Sequence, residues 1–450
     1  MHVFIHRKDL RITDMPAFDY LRQLGTPSLH LLILDPLILK KNRHLEHSGV
    51  QFLQVAQRLQ NLYTSNNQQL HMIYGDPVEV LTRLHALQRI TEVIFHQDVT
   101  PYARHRDRAI QAWSKQYGVT CTTFAEHMMT SPDEFDAFAG RTEPYKVYTP
   151  FWKKWREMMS SYATPPSKQG LDGLHTLDAP AEWTNQYAVP DEIIALNPKL
   201  TDASAMEPMV ELQTFIQQRL RMYETARDDF AHAHTSGISK YLNTGALSIR
   251  EVWAALPSDM VAEPWRRQLA WREFYYYQAY RDPQFFNYEK TLQSEKLSDQ
   301  HFAAWAKGET GIPIIDAAMR HLNATGEMHN RLRMVTAMFL TKNLLCPFQL
   351  GETYFRYKLR DYDNTLNRGG WLWSSSIGFD AAPYFRIMSP VLQSQRFNPS
   401  GDYIRKWVPE FAHLSNKEIH LPQPHAIVDL KSSRAYAIEV YGELLKTKSE

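Results

Sequence analysis

The first 130 residues alternate short apolar runs with amphipathic segments, and this alternation constrains the fold more than any other feature of the chain. The apolar runs are rich in β-branched or aromatic residues and indicate five strands, at residues 3–5, 29–34, 71–74, 93–95 and 119–124. Helical patterns, such as residues 50–62 and 78–87, separate them. This order predicts an α/β domain over residues 1–130 with a Rossmann-like, doubly wound parallel sheet. No G-x-G-x-x-G follows the first strand, so this layer need not hold the main cofactor.

After residue 130 the pattern changes twice. Nine prolines interrupt residues 131–210, which predicts a long interdomain linker with short helices such as residues 151–159. From residue 211 to residue 450 the apolar residues recur with helical spacing, and strand candidates are nearly absent. We therefore expect an all-α C-terminal domain over residues 211–450. Its predicted helices cover residues 213–227, 248–256, 264–280, 313–322 and 328–345.

Composition excludes several classes of protein. Two cysteines, Cys121 and Cys346, are too few for a disulfide framework or a cysteine-based metal cluster, and both lie in apolar surroundings typical of inert buried thiols. No metal-ligand spacing occurs, so no metal site is predicted. No apolar run approaches the roughly 18 residues needed to span a bilayer. The N-terminus has the pattern of a strand and not of a signal peptide, so we expect a cytoplasmic protein.

The charge distribution leaves room for a polyanionic partner only at a local patch. The net charge is +1, so the whole molecule has no strong basic field. Residues 327–360 hold six arginines and lysines against two glutamates, which makes this stretch a candidate nucleic-acid surface. The alternative interpretation is a solvated helix face.

Residues 361–373 read DYDNTLNRGGWLW and carry the densest chemistry of the chain. They supply carboxylates, amides, a Gly-Gly pair and two tryptophans, Trp371 and Trp373, that stand two residues apart. Glycines let a backbone pass close to a flat group, and tryptophans offer broad π faces. The stretch is typical of a place where a planar cofactor and an aromatic substrate meet. A glycine-containing loop with a core tryptophan is the alternative.

Three other segments have functional patterns. Gln268, Trp271 and Arg272 share one face of a predicted helix, and Asn330, Arg331 and Met334 share one side of another. Such faces suit a base-like ligand, whereas a buried tryptophan with a snorkelling arginine is the simpler alternative for the first. The hydroxyl-rich run at residues 235–239 precedes a helix and suits a phosphate, although an ordinary helix N-cap would have the same pattern. His329 is interpreted as a core histidine without a catalytic role.

Together these segments resemble the photolyase/cryptochrome flavoprotein family, and bacterial cyclobutane pyrimidine dimer photolyases most of all. The resemblance covers essentially the whole chain, and its motifs occur in the family's order. They lie at residues 7–11, 145–151, 271–275, 310–313, 316–320, 328–334, 361–373 and 380–386.

The resemblance implies a helical domain that holds FAD in a bent form, and light-driven splitting of pyrimidine dimers in UV-damaged DNA by electron transfer from excited, reduced FAD. The residues that it places around FAD are Tyr223, Thr235, Ser236, Gly237, Ile238, Ser239, Trp265, Arg272, Asp361, Tyr362, Asp363 and Asn367. The residues that it assigns to catalysis are Gln268, Trp305, Asn367 and Trp371. The residues that it assigns to the lesion or the DNA backbone are Arg227, Gln268, Trp271, Asn330, Arg331, Met334, Trp373 and Arg386.

The chain departs from the family pattern at three positions. Trp371 and Trp305 match the inner and outer members of an electron relay, but Phe348 occupies the middle position, so slow or rerouted photoreduction is expected, with a tyrosine as one route. Gln268 stands where dimer photolyases usually have a glutamate, and a glutamine at this position is found in enzymes that act on (6-4) photoproducts. Ala103 stands where folate-type photolyases have a glutamate, so a folate antenna is doubtful, and a deazaflavin, a second flavin or an empty pocket stays open.

Three alternatives to dimer repair follow from the same residues. The first is repair of (6-4) photoproducts. The enzymes that repair this lesion carry histidines in the segment where this chain has Asn330 and Arg331, which argues against this alternative. The second is a cryptochrome-type blue-light photoreceptor, although the tail at residues 446–450 is short. The third is a dark flavin-dependent oxidoreductase, which the missing glycine fingerprint disfavours. We expect a monomer that binds damaged DNA and needs neither a membrane nor a protein partner.

Overall fold

A computed structural model describes residues 1–162, 165–200, 206–232, 234–288, 292 and 295–446. The predicted tail lies outside these residues apart from the backbone of residue 446. The chain forms two compact units. The first consists of Met1–Thr142, Lys153–Gln217 and Ser236–Ala262, and the second consists of Glu143–Trp152, Gln218–Thr235 and Glu263–Glu450. The predicted domain boundaries at residues 130 and 210 stay a prediction.

A five-stranded parallel sheet forms the centre of the first unit. Its strands are β1 (His2–His6), β2 (Ser28–Leu34), β3 (His71–Tyr74), β4 (Glu92–His96) and β5 (Thr120–Phe124). The strand order is β3-β2-β1-β4-β5, and β1 pairs in parallel with both β2 and β4. All five predicted strands are confirmed, and so is the doubly wound sheet.

Burial on both faces explains why strands such as β2 and β4 could be predicted from the sequence. Every residue of β2 is buried, and so is every residue of β4. Parallel strands covered by helices on both faces carry continuous apolar runs, in contrast to the alternating pattern of half-exposed strands. Side chains such as Val3, Leu31 and Val93 are fully buried in one core with the flanking helices.

Helices account for most of the remaining described residues. In the N-terminal half they are α1 (Pro16–Leu24), α2 (His47–Ser65), α3 (Pro77–Leu87), α4 (Pro101–Tyr117), α5 (Pro132–Ala139), α6 (Tyr148–Tyr162), α7 (Ala181–Gln186), α8 (Pro208–Gln218), α9 (Tyr223–Ala226), α10 (Ser239–Leu242) and α11 (Ile249–Ala255). In the C-terminal half they are α12 (Glu263–Arg281), α13 (Phe302–Lys307), α14 (Pro313–Thr325), α15 (Asn330–Met338), α16 (Phe348–Lys358), α17 (Asn364–Ser374), α18 (Pro390–Phe397), α19 (Asp402–Trp407) and α20 (Leu430–Lys446). None of the described helices is long and apolar enough to cross a membrane.

The prediction of one helix over residues 213–227 is wrong. Helix α8 ends at Gln218, a 3₁₀ turn covers Leu220–Met222, and α9 begins at Tyr223. The buried residues are Leu212, Phe215, Leu220 and Tyr223, and the gap of five between the middle pair does not fit a 3.6-residue period. The break between α8 and α9 begins within this gap. The helix predicted over residues 328–345 is similarly divided, because α15 is followed by a π-helix at Phe339–Asn343.

The expected basic patch over residues 327–360 is not a continuous patch. Lys342 is fully buried, and burial lowers its pKa to about 6. Arg331, Arg333 and Arg360 form ion pairs with carboxylates. Most of the positive charge in this stretch is therefore buried or compensated.

The two thiols largely match their prediction. Cys346 is buried, Cys121 is half-buried, and burial raises the pKa of both, to about 12 for Cys346. A thiol with a raised pKa carries little thiolate at neutral pH and is a poor nucleophile.

Candidate functional site

Residues 361–373 form a capped helix and its entrance, so the interpretation of this stretch as a loop is wrong. Asp363 is the N-cap of α17, and its Oδ1 accepts a hydrogen bond of 2.9 Å from the backbone N–H of Leu366. Helix α17 packs against α12, α15 and α16 in the second unit. The chemistry-bearing stretch is therefore held on a rigid element, where small displacements of a bound group are resisted.

A buried tyrosine links two of the predicted cofactor residues. The hydroxyl of Tyr276 donates a 2.6 Å hydrogen bond to Asp363 Oδ2. The guanidinium of Arg272 lies over the ring of the same tyrosine, 4.6 Å from its centroid, and donates to Glu273 Oε1 at 3.0 Å. Arg272 and Asp363 are both buried, as is Trp265 on the same helix α12. The result is a fixed cation and a fixed carboxylate at the junction of α12 and α17.

The second carboxylate of the entrance is also held in place. Both carboxylate oxygens of Asp361 lie 2.9 Å from Nη2 of Arg333. The neighbouring Tyr362 is half-buried, and its hydroxyl donates to Asn364 Oδ1 at 3.1 Å. The Asn367 amide donates to the backbone carbonyl of Glu352 at 3.1 Å.

The two glycines of α17 have different surroundings. A Cβ at Gly369 would lie 2.2 Å from Cδ1 of Tyr275, so this glycine permits close packing of α12 and α17. A Cβ at Gly370 would meet no heavy atom within 4 Å. Gly370 follows Asn367 by three residues, so the open side of Gly370 and the Asn367 side chain lie on the same side of the helix. A flat ring beside an amide and an uncovered helix backbone would fit this side.

The two tryptophans of the predicted electron relay touch each other directly. The ring centroids of Trp305 and Trp371 are 6.2 Å apart, and the ring of Phe355 contacts both, at 5.9 and 5.2 Å. Trp305 is fully buried, although the resemblance assigns it the outer position. The guanidinium of Arg368 lies over the ring of Phe348, with its central carbon 5.1 Å from the ring centroid.

One of the predicted lesion-stacking walls is half covered. The ring of Trp271 is stacked on the ring of Tyr148, with centroids 3.6 Å apart and planes at 7°. The hydroxyl of Tyr148 donates to the backbone carbonyl of Arg267 at 2.8 Å, which fixes the stack. Trp373 is half-buried, and the Gln268 amide donates to Pro264 O of its own helix at 3.4 Å. Only the second face of Trp271 is left for a ligand.

The predicted DNA contacts differ in how much charge they leave free. Arg386 is exposed, whereas Arg331 pairs with Asp228 at 2.8 Å and lies 4.0 Å from the ring centroid of Phe397. Arg227 is half-buried beside Tyr223, whose own burial raises its pKa to about 12. Asn330 is exposed and donates to the half-buried Met334 Sδ at 3.6 Å.

His329 has both ring nitrogens engaged by the backbone. Nδ1 accepts from the N–H of Arg331 at 3.2 Å, so Nε2 carries the proton and donates to Arg227 O at 2.7 Å. Burial lowers its pKa. This histidine is the N-cap of α15 and has a structural role.

The hydroxyl-rich run is divided between the two units. Thr235 belongs to the second unit with Tyr223, and Ser236, Gly237, Ile238 and Ser239 belong to the first. The N-cap of α10 is Ile238, which is buried, so the alternative of an ordinary Ser/Thr N-cap is wrong. Gly237 has a φ of 71°, a conformation that glycine adopts without strain.

Sequence reasoning missed several residues that build this site. Tyr148 backs Trp271, Tyr276 joins Arg272 to Asp363, and Phe355 bridges the two relay tryptophans. Tyr148 lies within a motif that carried the resemblance, so its importance was visible but its contact was not. The pairing of Tyr276 with a residue 87 positions away has no local signal in the sequence.

The relationship to known proteins agrees with this geometry. Residues 2–169 match the family described as DNA photolyase, and residues 265–443 match the FAD binding domain of DNA photolyase. The deoxyribodipyrimidine photo-lyase of Synechococcus sp. is 33% identical to this chain over an alignment of 449 residues, gaps included. The alignment covers 93% of this chain and 89% of that protein.

Two solved structures extend the relationship to the whole fold. A bacterial class III photolyase from Agrobacterium tumefaciens has a TM-score of 0.83 at 28% identity, covering 99% of this chain and 98% of that one. An archaeal photolyase from Sulfolobus tokodaii, solved with two FAD molecules, has a TM-score of 0.83 at 25% identity, with coverage of 98% and 99%. The chain belongs to the DNA photolyase family and is an FAD-binding flavoprotein.

Proposed function

We propose that this protein is a deoxyribodipyrimidine photo-lyase, a light-dependent lyase that splits cyclobutane pyrimidine dimers in UV-damaged DNA. The observation that carries the proposal is the composition of α17, which combines an amide, an uncovered glycine and two tryptophans on one rigid helix. Relatives named deoxyribodipyrimidine photo-lyase match nearly the whole chain at about one-third identity. The bound, reduced FAD supplies the photoexcitable electron, and the protein supplies position and electrostatics.

The flavin would be held mainly by residues of α12 and α17. In this proposal Asn367 lies beside the isoalloxazine, and Gly370 leaves room for the ring. The buried guanidinium of Arg272 complements an anion without reorganisation, because Glu273 and Tyr276 already hold its orientation. The fixed carboxylates of Asp361 and Asp363 suit the hydroxyl and N–H donors of a flavin nucleotide. Thr235, which belongs to the same unit as α12 and α17, would contact the phosphates.

The lesion would stack against the free face of Trp271 and against Trp373. Tyr148 makes the Trp271 ring a rigid wall, because a ring stacked at 3.6 Å cannot rotate without losing that contact. A flipped dimer costs a few kcal/mol to extract from the duplex, and a preformed aromatic wall repays part of that cost. Arg227, Arg331 and Arg386 are proposed contacts to the DNA backbone, and Asn330 and Met334 are proposed contacts to the lesion.

The cyclobutane dimer is favoured over the (6-4) photoproduct. Gln268 offers an amide, which can donate a hydrogen bond but cannot supply a proton. His329 is neutral at pH 7 and has both nitrogens bonded to backbone groups, so it is not available as an acid. Repair that requires no proton transfer from a histidine fits these two residues better.

The electron route to the flavin is proposed to bypass Phe348. Trp305 and Trp371 are in direct contact, and the half-buried Tyr354 contacts Trp305 with centroids 5.8 Å apart. The Tyr354 hydroxyl donates to the carbonyl of Ala306 at 3.0 Å. We predict that oxidised Trp305 is short-lived after a blue flash, because Tyr354 gives it an electron and releases its hydroxyl proton to solvent. A long-lived Trp305 radical in transient absorption, unchanged in Tyr354→Phe, would refute this route.

Repair assays on purified lesions test the proposed function. An oligonucleotide with one thymine dimer and one with one (6-4) photoproduct are incubated with reduced protein, in blue light and in the dark. We expect light-dependent loss of the thymine dimer only. Binding without repair in light would favour a photoreceptor, and repair of the (6-4) lesion would overturn the choice of substrate. A monomer that acts in the cytoplasm without a protein partner, and the identity of any antenna, stay predictions.

A further inference from the structure

A second cluster of ligand-bearing side chains lies outside the proposed flavin and lesion sites. Asp229, His232 and His234 each offer one ligand atom, and these three atoms lie within 4.8 Å of one another. All three belong to one short segment of the second unit with the pattern D-x-x-H-x-H. The segment is not explained by light-driven repair.

The carboxylate of Asp229 is oriented toward both imidazoles. Its Oδ1 accepts a 3.0 Å hydrogen bond from the N–H of Ala231, which fixes the side chain. Its Oδ2 lies 2.8 Å from Nδ1 of His232 and 3.9 Å from Nε2 of His234. Ligands about 2.1 Å from a tetrahedral metal ion are separated by roughly 3.4 Å, which lies between these two distances. Each of the two distances from Asp229 differs from this separation by well under 1 Å.

Phe230, which directly follows Asp229, anchors the segment. Phe230 is buried, with its ring centroid 5.2 Å from that of Tyr403 and 6.2 Å from that of His329. Asp229 is thus tied to the core on one side, while the ring of His232 is 67% exposed. An anchored carboxylate with accessible imidazoles can take up an ion from solution without unfolding the segment.

The ligand set selects the class of ion. Two neutral imidazoles and one carboxylate suit borderline transition metals, whereas Mg²⁺ and Ca²⁺ prefer sites made of oxygen ligands. The pKa of Asp229 lies below its usual range: burial alone would raise it, but the hydrogen bond from His232 and the N–H of Ala231 lower it. The carboxylate is therefore ionised at neutral pH and contributes one negative charge.

We propose that Asp229, His232 and His234 bind one divalent transition-metal ion of the Zn²⁺, Ni²⁺ or Cu²⁺ class, with water in the fourth position. The ion takes the place of the proton between His232 Nδ1 and Asp229 Oδ2, and the neutral imidazole then carries its proton on Nε2. His234 directly precedes Thr235, the first residue of the proposed phosphate-binding run. The ion would restrain the chain at the start of that run.

Calorimetric titration of ZnCl₂ into tag-free, flavin-loaded full-length protein, pretreated with a chelator, tests the site. We expect one saturable Zn²⁺ per chain at micromolar concentrations. Each of His232→Ala and His234→Ala should weaken binding at least about tenfold, because loss of even an outer-shell partner costs this much. His413→Ala removes another exposed histidine and should leave the affinity unchanged. Circular dichroism verifies the fold of each variant.

A spectroscopic arm separates a built site from scattered surface binding. Co²⁺ in a tetrahedral site of two imidazoles and a carboxylate gives visible absorption bands, which should be lost in the His232→Ala/His234→Ala double variant. The proposal is overturned if Zn²⁺ binding is absent or if it is equally strong in the double variant. It is also overturned if His413→Ala weakens binding as much as the cluster variants do. None of these readouts depends on light-driven repair.

Discussion

Gly369 and Gly370 offer two chemically identical substitutions with opposite expected effects. In Gly369→Ala the new methyl group would lie 2.2 Å from a ring carbon of Tyr275, whereas normal carbon–carbon contacts are about 3.5–4 Å. The ring or the helix must therefore move by more than 1 Å. Overpacking of this kind costs about 1–3 kcal/mol. Because alanine favours the helical conformation over glycine by up to about 1 kcal/mol, the net destabilisation is roughly 0–2 kcal/mol.

Gly370→Ala gains the same helix propensity and meets no atom in the flavin-free protein. It should raise the free energy of unfolding by up to about 1 kcal/mol, so the two variants should differ by about 1–3 kcal/mol. In the presence of FAD the order changes. The methyl group at Gly370 would occupy the space proposed for the flavin ring, and the stabilisation that bound FAD provides should shrink.

Thermal unfolding with and without FAD measures both effects. For a unit of this size 1 kcal/mol corresponds to roughly 2–4 °C, which differential scanning fluorimetry resolves. We expect Gly369→Ala to lower the melting temperature of the flavin-free protein and Gly370→Ala to leave it unchanged or raise it. If Gly370→Ala keeps the full FAD-induced rise in melting temperature, the flavin does not lie beside this glycine.

Four further substitutions test separate parts of the structure. Tyr148→Leu should reduce dimer affinity severalfold without loss of bound FAD; unchanged affinity in a filter-binding assay would refute its role as a support. Asp228→Asn should free Arg331 and steepen the salt dependence of DNA binding by about one ion, and an unchanged slope would argue against a phosphate contact. Lys342 has a folded-state pKa of about 6 and an unfolded value near 10.5, so the unfolded chain binds more protons between these pH values. Stability should therefore rise with pH over this range, and the cost at pH 7 is roughly 5 kcal/mol. Lys342→Met should remove this slope in denaturation curves, and a slope of the same size in the variant would contradict the assignment. Trp305→Phe should slow photoreduction at least tenfold and leave repair by chemically reduced protein intact.

The sheet was predictable because its information is local. The three central strands β1, β2 and β4 are short apolar runs that are almost completely buried. Amphipathic helices separate the runs, so neighbouring residues alone indicate the pattern. In the C-terminal half, α12, α14 and α15 were predictable from the 3.6-residue spacing of their apolar residues. The break between α8 and α9 was not predicted, because residues 213–227 were assigned helical spacing throughout although Phe215 and Leu220 are five residues apart.

The site was predictable in composition but not in arrangement. The residues of α17 could be singled out from their types, since carboxylates, amides and paired tryptophans rarely occur together without a ligand. Their partners could not be identified. Tyr148 covers Trp271 from 123 positions away, and Asp228 neutralises Arg331 from 103 positions away. Such contacts depend on tertiary packing, and no spacing in one sequence reports them.

The action spectrum of repair tests the central claim most directly. Protein with chemically reduced FAD is irradiated at a series of wavelengths with a thymine-dimer oligonucleotide, and restored thymines are counted by chromatography. The account predicts that the repair rate per photon follows the absorption of the bound reduced flavin and falls to zero in the dark. Repair that proceeds in darkness, or a flavin-loaded protein that restores no thymines at any wavelength, would contradict it.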